Sequence, residues 1–233
     1  MNTTHYLKTA MQALAASTLI VAIAMAGYFF MEPQVGRAQD TSGPFTISQV
    51  ITGETSFIVD ALNTTLTGSI NGITGGQSNG STTVVVQTNS ATGYTMSIAF
   101  ATNTTPNAML GNTSASESIR DYPAVGGQPT FLFSTASTSA VFAYTVSAAN
   151  SADLDQSFDD NGSACNQTGN ANTADRCWME PTQSNFQIID RSTAAISGAT
   201  STLHFRVHVP NNPTPGLVAD TYTATATLTV APQ

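Results

Sequence analysis

Apolar and polar side chains alternate with a period of two over several stretches of this chain, and few stretches follow a helical period. In GYTMSIAFAT, Tyr94, Met96, Ile98 and Phe100 fall on one side. In STLHFRVHVP, Leu203, Phe205, Val207 and Val209 fall on one side, and His204, Arg206 and His208 on the other. In the closing TYTATATLTV, Tyr222, Ala224, Ala226, Leu228 and Val230 oppose Thr221, Thr223, Thr225, Thr227 and Thr229. Successive side chains of a strand point to opposite faces, so each stretch predicts a strand with one buried and one wet face. Weaker versions occur in FTISQVI, SFIVDAL, TTVVVQT, PTFLFST, AVFAYTVSA and NFQIID, for eight or nine strands in all. One-sided burial is the habit of antiparallel sheets. The expected fold is therefore all-β: an antiparallel β-sandwich, Ig-like or jelly-roll-like, behind an N-terminal signal or anchor helix.

Turn chemistry separates these stretches. Asn71-Gly72 and Asn79-Gly80 are dipeptides that tolerate positive φ and predict turns. TNSATGYT predicts a hairpin with a longer turn, and PNNPTPG excludes helix or central strand between the last two strands. Two long loops are expected, at 104–127, with a short helix near SASESIRDY, and at 150–183.

The N-terminus breaks the pattern. Residues 10–31 are uncharged, and as a helix they would rise about 33 Å, enough to cross a bilayer. The most apolar part, TLIVAIAMAGYFF, has the length of a signal-peptide core, and Gly36-Arg37-Ala38 has small residues at the −3 and −1 positions of a signal peptidase site. Ala24-Met25-Ala26 is a second match, ranked lower because a cut there leaves GYFF on the new end. The expected organisation is residues 1–38 as signal peptide or N-terminal membrane anchor, and 39–233 as one exported domain with a disulfide-closed insertion loop at about 150–183. Both alternatives place residues 39–233 outside the cytoplasm, at the cell surface or beyond it.

Charge then excludes partners. Residues 39–233 contain no lysine, four arginines and thirteen carboxylates. Nucleic acid and anionic membrane surfaces need clustered basic residues, so neither is an expected partner, and membrane contact is expected only through an uncleaved N-terminal helix. Without lysine, isopeptide crosslinks and lysine-linked pilus polymerisation are chemically impossible in this part. Cys165 and Cys177 are the only cysteines, and an exported chain predicts a disulfide between them. It closes CNQTGNANTADRC, a loop with nothing apolar larger than Ala, which burial alone could not order.

Candidate chemistry is sparse. GQSNG, residues 76–80, has the spacing of a G-x-S-x-G nucleophile elbow, with Asp190 and His204 following in hydrolase order. The elbow needs a strand–turn–helix, whereas a strand-like run follows Ser78, so a plain turn is the expectation. His204 and His208 are four residues apart. On a strand that is about 13 Å, too far to share one zinc ion, and exposed side chains are expected. Asp153, Asp155, Asp159 and Asp160 gather carboxylates on one loop as Ca²⁺ sites do, but without EF-hand spacing. Calcium is the only cofactor these residues raise, against a solvated acidic loop. Trp178, the sole tryptophan, is either a sugar-stacking platform or a ring packed over the neighbouring disulfide.

TNSATGYTMSI together with TYTATATLTV resembles two groups of bacterial envelope proteins, the WxL-type surface domains and the spore coat U-type pilins, which close with a Tyr-Thr-rich strand. The Trp-x-Leu signature is absent, since the only tryptophan reads Trp-Met-Glu. The resemblance implies a surface β-sandwich and transfers no binding residue. The expected function is that of a non-enzymatic bacterial surface or extracellular-matrix protein, structural or adhesive, partnered by itself, other envelope proteins or glycans. Carbohydrate binding through loops 104–127 and 150–183 with Trp178 is the alternative, and a serine hydrolase the remote one. In the assembly reading, GPFTISQVI donates a strand to a neighbouring subunit.

Overall fold

A computed structural model describes residues 3–31, 46–101, 107–114, 116–134 and 138–233. The chain divides into two units, Met1–Val50 and Ile51–Gln233. In the first, helix α1 covers Thr3–Met31. Its stretch Leu7–Tyr28 is long and apolar enough to cross a membrane. Its described side chains are all exposed, and an apolar helix of this length is consistent with a signal sequence or an anchor. The expected cleavage site at 36–38 lies outside the described residues.

The second unit is built from ten strands: β1 Thr55–Val59, β2 Gly76–Thr88, β3 Tyr94–Phe100, β4 Met109–Gly111, β5 Ser118–Asp121, β6 Val141–Ala148, β7 Phe186–Arg191, β8 Ala195–Val209, β9 Tyr222–Ala224 and β10 Ala226–Pro232. Seven form one curled sheet in the order β1-β2-β8-β6-β5-β4-β9, and three form a second in the order β10-β3-β7. The two sheets share a core. Val84 and Val86 of β2, Phe142 and Tyr144 of β6 and Leu203 and Val207 of β8 meet Met96 and Ile98 of β3 and Ile188 and Ile189 of β7. The alternation in β3 is the one expected: Tyr94, Met96, Ile98 and Phe100 are all buried and the residues between them are half-exposed.

Several expectations are corrected. Pairing is antiparallel except between β5 and β6, which run parallel with Arg120 opposite Val141. TNSATGYT is not a hairpin, because β2 and β3 lie in different sheets and the turn carries the chain from one to the other. Gly93 makes that crossing possible: its φ is +84°, and a Cβ there would lie 1.8 Å from the Arg191 carbonyl oxygen. Asn79-Gly80 is not a turn but the interior of β2, opposite Arg206 and Phe205 of β8. Gly80 is there for space, since a Cβ would come within 2.7 Å of Leu66 and of Thr64. The predicted single closing strand is two: it breaks at Thr225, where β9 leaves β4 and β10 joins β3. Ser118–Asp121, expected near a short helix, is strand β5, because Ile119 is drawn into the core opposite Met109. Residues 129–134 of PTFLFST form no strand. Thr130 makes one bridge to Trp178, and Phe131 and Phe133 pack against different apolar clusters. Residues 46–51 of FTISQVI carry no strand hydrogen bonds, and Phe45 lies outside the described residues.

Candidate functional site

Strand β6 departs from one-sided burial. Phe142, Tyr144 and Val146 face the shared core, while Val141 and Ala143 are buried on the opposite face with Tyr122, Trp178 and the partly buried Phe133. A patch of the seven-stranded sheet's outer face is thus covered, and a shallow groove lined by polar side chains runs beside it. Strand register builds its floor: Arg206 of β8 stands between Asn79 of β2 and Ala143 of β6, and His204 of β8 between Ser81 and Thr145.

The wall comes from the disulfide loop. Cys165 and Cys177 are bonded as expected. Between them the chain turns through left-handed conformations at Asn166 (φ 58°), Asn170 (56°) and Asp175 (63°), and at Cys177 itself (56°). Asn and Asp tolerate this region best among residues with a side chain, which explains the loop's composition. The loop is tied to the sheet by the Thr145 hydroxyl, which donates to the Arg176 carbonyl at 2.7 Å. Backbone bonds between Trp178 and Thr130 and between Met179 and Tyr144 continue the tie.

Arg206 is the centre of the arrangement. Its guanidinium lies 4.2 Å above the Trp178 ring and 5.0 Å from the Phe133 ring centre. Its Nε donates to Asn79 Oδ1 at 2.7 Å, and its Nη2 pairs with Asp175. His204 shares a hydrogen bond with the Ser147 hydroxyl at 3.0 Å. Burial lowers the His204 pKa, against the pull of the Asp175 charge, so the imidazole is neutral at pH 7. The groove is open to solvent and has a volume of about 620 Å³, between this cluster and the Thr64–Thr67 segment.

The predicted site residues are placed as follows. Trp178 is neither an exposed platform nor a cover for the disulfide: it is 2% exposed, its Nε1 donates to the Asp175 carbonyl, and Arg206 and Phe133 take its surfaces. Ser78, Asp190 and His204 are not brought together. Ser78 is buried on the core face of β2, where its hydroxyl donates to the Thr67 carbonyl at 2.5 Å. His204 is on the outer face, and Asp190 is exposed on β7 of the other sheet. His204 and His208, expected exposed, are half-buried because the loop and Phe133 cover their face.

The acidic loop is engaged residue by residue. Asp153 pairs with Arg191. Asp155 caps a short 3-10 turn, Gln156–Phe158, by accepting from the Ser157 N–H at 3.0 Å. Burial pushes the Asp160 carboxyl up, but hydrogen bonds from Thr173 and Gly162, with the Arg176 charge, outweigh it and hold the group below the usual range. Asp159 differs: it is 4% exposed, its Oδ1 has no partner, and burial with the charges of Asp155 and Asp160 raises its pKa to about 6. Among the described residues no three His, Cys, Asp or Glu side chains gather where they could hold a metal ion.

No protein-family model, curated protein or solved structure matches this chain. The groove was not visible in the sequence as a site. Its only signal was that His204 and Arg206 share the polar parity of one strong strand pattern, while Asn79 was expected in a turn.

Proposed function

We propose that this chain is a non-enzymatic, exported bacterial surface or matrix protein that assembles with itself, its β-rich unit being an Ig-like or jelly-roll-like sandwich. The observation that carries the reading is the state of residues 46–51. Ile47, Val50 and Ile51 are 84%, 80% and 82% exposed, although β-branched side chains of this kind favour a half-buried strand. The segment makes no strand hydrogen bonds of its own. The two sheets end on β1, β9, β7 and β10, and an outer strand presents unpaired backbone groups that an extended segment can join.

Other features support the same reading. The apolar helix α1 is consistent with a signal or anchor, and the disulfide with an oxidising compartment. The hydroxyl and histidine groups that raised a hydrolase are committed to separate structural bonds. Deleting residues 39–51 tests the proposal. The expected result is a folded chain that no longer forms polymers by size analysis of envelope extracts. Polymers that persist in the deletion variant overturn it.

A further inference from the structure

The outer-face groove has more hydrogen-bonding capacity than the fold consumes. The Nη1 donors of Arg206 have no acceptor among the described residues, its Nε and Nη2 being used by Asn79 and Asp175. Among the described residues the amide nitrogen of Asn79 has no partner, nor do the hydroxyls of Ser81 and Thr65 or Nδ1 of His204, whose Nε2 is held by Ser147. Among the described residues Asp175 Oδ2 has only Arg176 Nη1 near it, at 3.9 Å. Both donors and acceptors therefore belong to residues lining one concavity of about 620 Å³, within the size range of small-molecule sites.

The set is also held in place before anything binds. Arg206 is gripped by two rings, an amide and a carboxylate, and its side chain is 11% exposed. The loop that supplies Asp175 and Trp178 is closed by the disulfide and tied to Thr145. Little ordering entropy remains to be lost on binding.

Charge selects the ligand class. Arg206 and Asp175 neutralise each other and His204 is neutral, so the groove offers no net charge to attract an ion. Neither face of Trp178 is open, so the site does not use ring stacking. What it offers is paired donors and acceptors, and a sugar hydroxyl both donates and accepts. From these contacts we infer that the groove between β2, β8 and the disulfide loop binds a short neutral saccharide, with Asn79, His204, Arg206 and Asp175 as the hydrogen-bonding contacts and Trp178 as the buried support of Arg206. The inference is independent of self-assembly through residues 39–51.

Trp178, as the only tryptophan, makes its own fluorescence the probe of this groove. The full-length chain in zwitterionic detergent, free of sugar headgroups, is titrated with neutral gluco-, xylo-, manno- and galacto-oligosaccharides and with oligogalacturonate. At least one neutral oligosaccharide is expected to give a saturable change that Asn79→Ala and His204→Ala weaken by about tenfold or more, the loss of one to two hydrogen bonds. Ser81→Tyr, which fills the groove from an exposed position on β2, is expected to abolish binding with the melting temperature unchanged. No saturable change up to about 10 mM across the panel overturns the inference. So does binding of the acidic oligomer alone, or neutral binding that survives Ser81→Tyr.

Discussion

Asp159 is a buried carboxyl whose Oδ1 has no hydrogen-bond partner among the described residues. An unfolded chain holds an ordinary carboxyl near 3.8, and the fold raises this one to about 6. The native state therefore keeps the proton more tightly, so Asp159 lowers stability as pH rises from about 4 to about 6 and costs a constant amount above that. Asp159→Asn is expected to raise stability by about 1–2 kcal/mol at neutral pH, with the gain vanishing towards pH 4, measured by thermal unfolding across that range. Gly93 poses a steric counterpart. Gly93→Ala puts a methyl group into the Arg191 carbonyl at a positive φ, and a loss of more than about 1 kcal/mol is expected in denaturant unfolding. Neither effect was legible beforehand. The raised pKa of Asp159 comes from burial and from the charges of Asp155 and Asp160, and the role of Gly93 from Arg191, nearly a hundred residues away. The alternation at Tyr94, Met96, Ile98 and Phe100 was legible, because one face of a strand has to be dry whatever covers it.

The disulfide loop is the element with most at stake. It carries four non-glycine residues in left-handed conformations and supplies the groove wall. Closing a span of this length stabilises by about 3 kcal/mol, so paired Cys165→Ser and Cys177→Ser changes are expected to lower stability by about that amount. The same variant should blue- or red-shift Trp178 emission as Asp175 loosens from Arg206. An unchanged melting temperature and spectrum would show that the sheet alone holds the loop. The bond was predictable from two cysteines in an exported chain. The path of the loop was not, since it depends on Thr145, Thr130 and Tyr144 meeting residues 176–179 across the sheet. The same limit applies to the closing strand. Its threonines alternate without interruption, and only the competition between β4 and β3 for its two halves breaks it at Thr225.

For the whole molecule, the expectation that bears on function is where the mature chain begins. Cleavage after Ala38 is the expected outcome, read by N-terminal sequencing and mass of the protein from its native envelope. It would make residues 39–51 the free end that assembly requires, whereas a retained helix would tether that segment to the membrane. Two-residue periodicity, an apolar N-terminal run and paired cysteines determined from sequence alone that the chain is mostly β, begins with a signal- or anchor-like helix and carries a disulfide. Each of these is set by local spacing or by the number of residues of one kind. Tertiary structure decided which strands share a sheet, that β5 and β6 run parallel, that β2 and β3 part company at Gly93, and that Trp178 lies under Arg206 rather than in solvent. Those outcomes turn on which faces far apart in sequence cover one another, and alternation states only that a face must be covered, not by what.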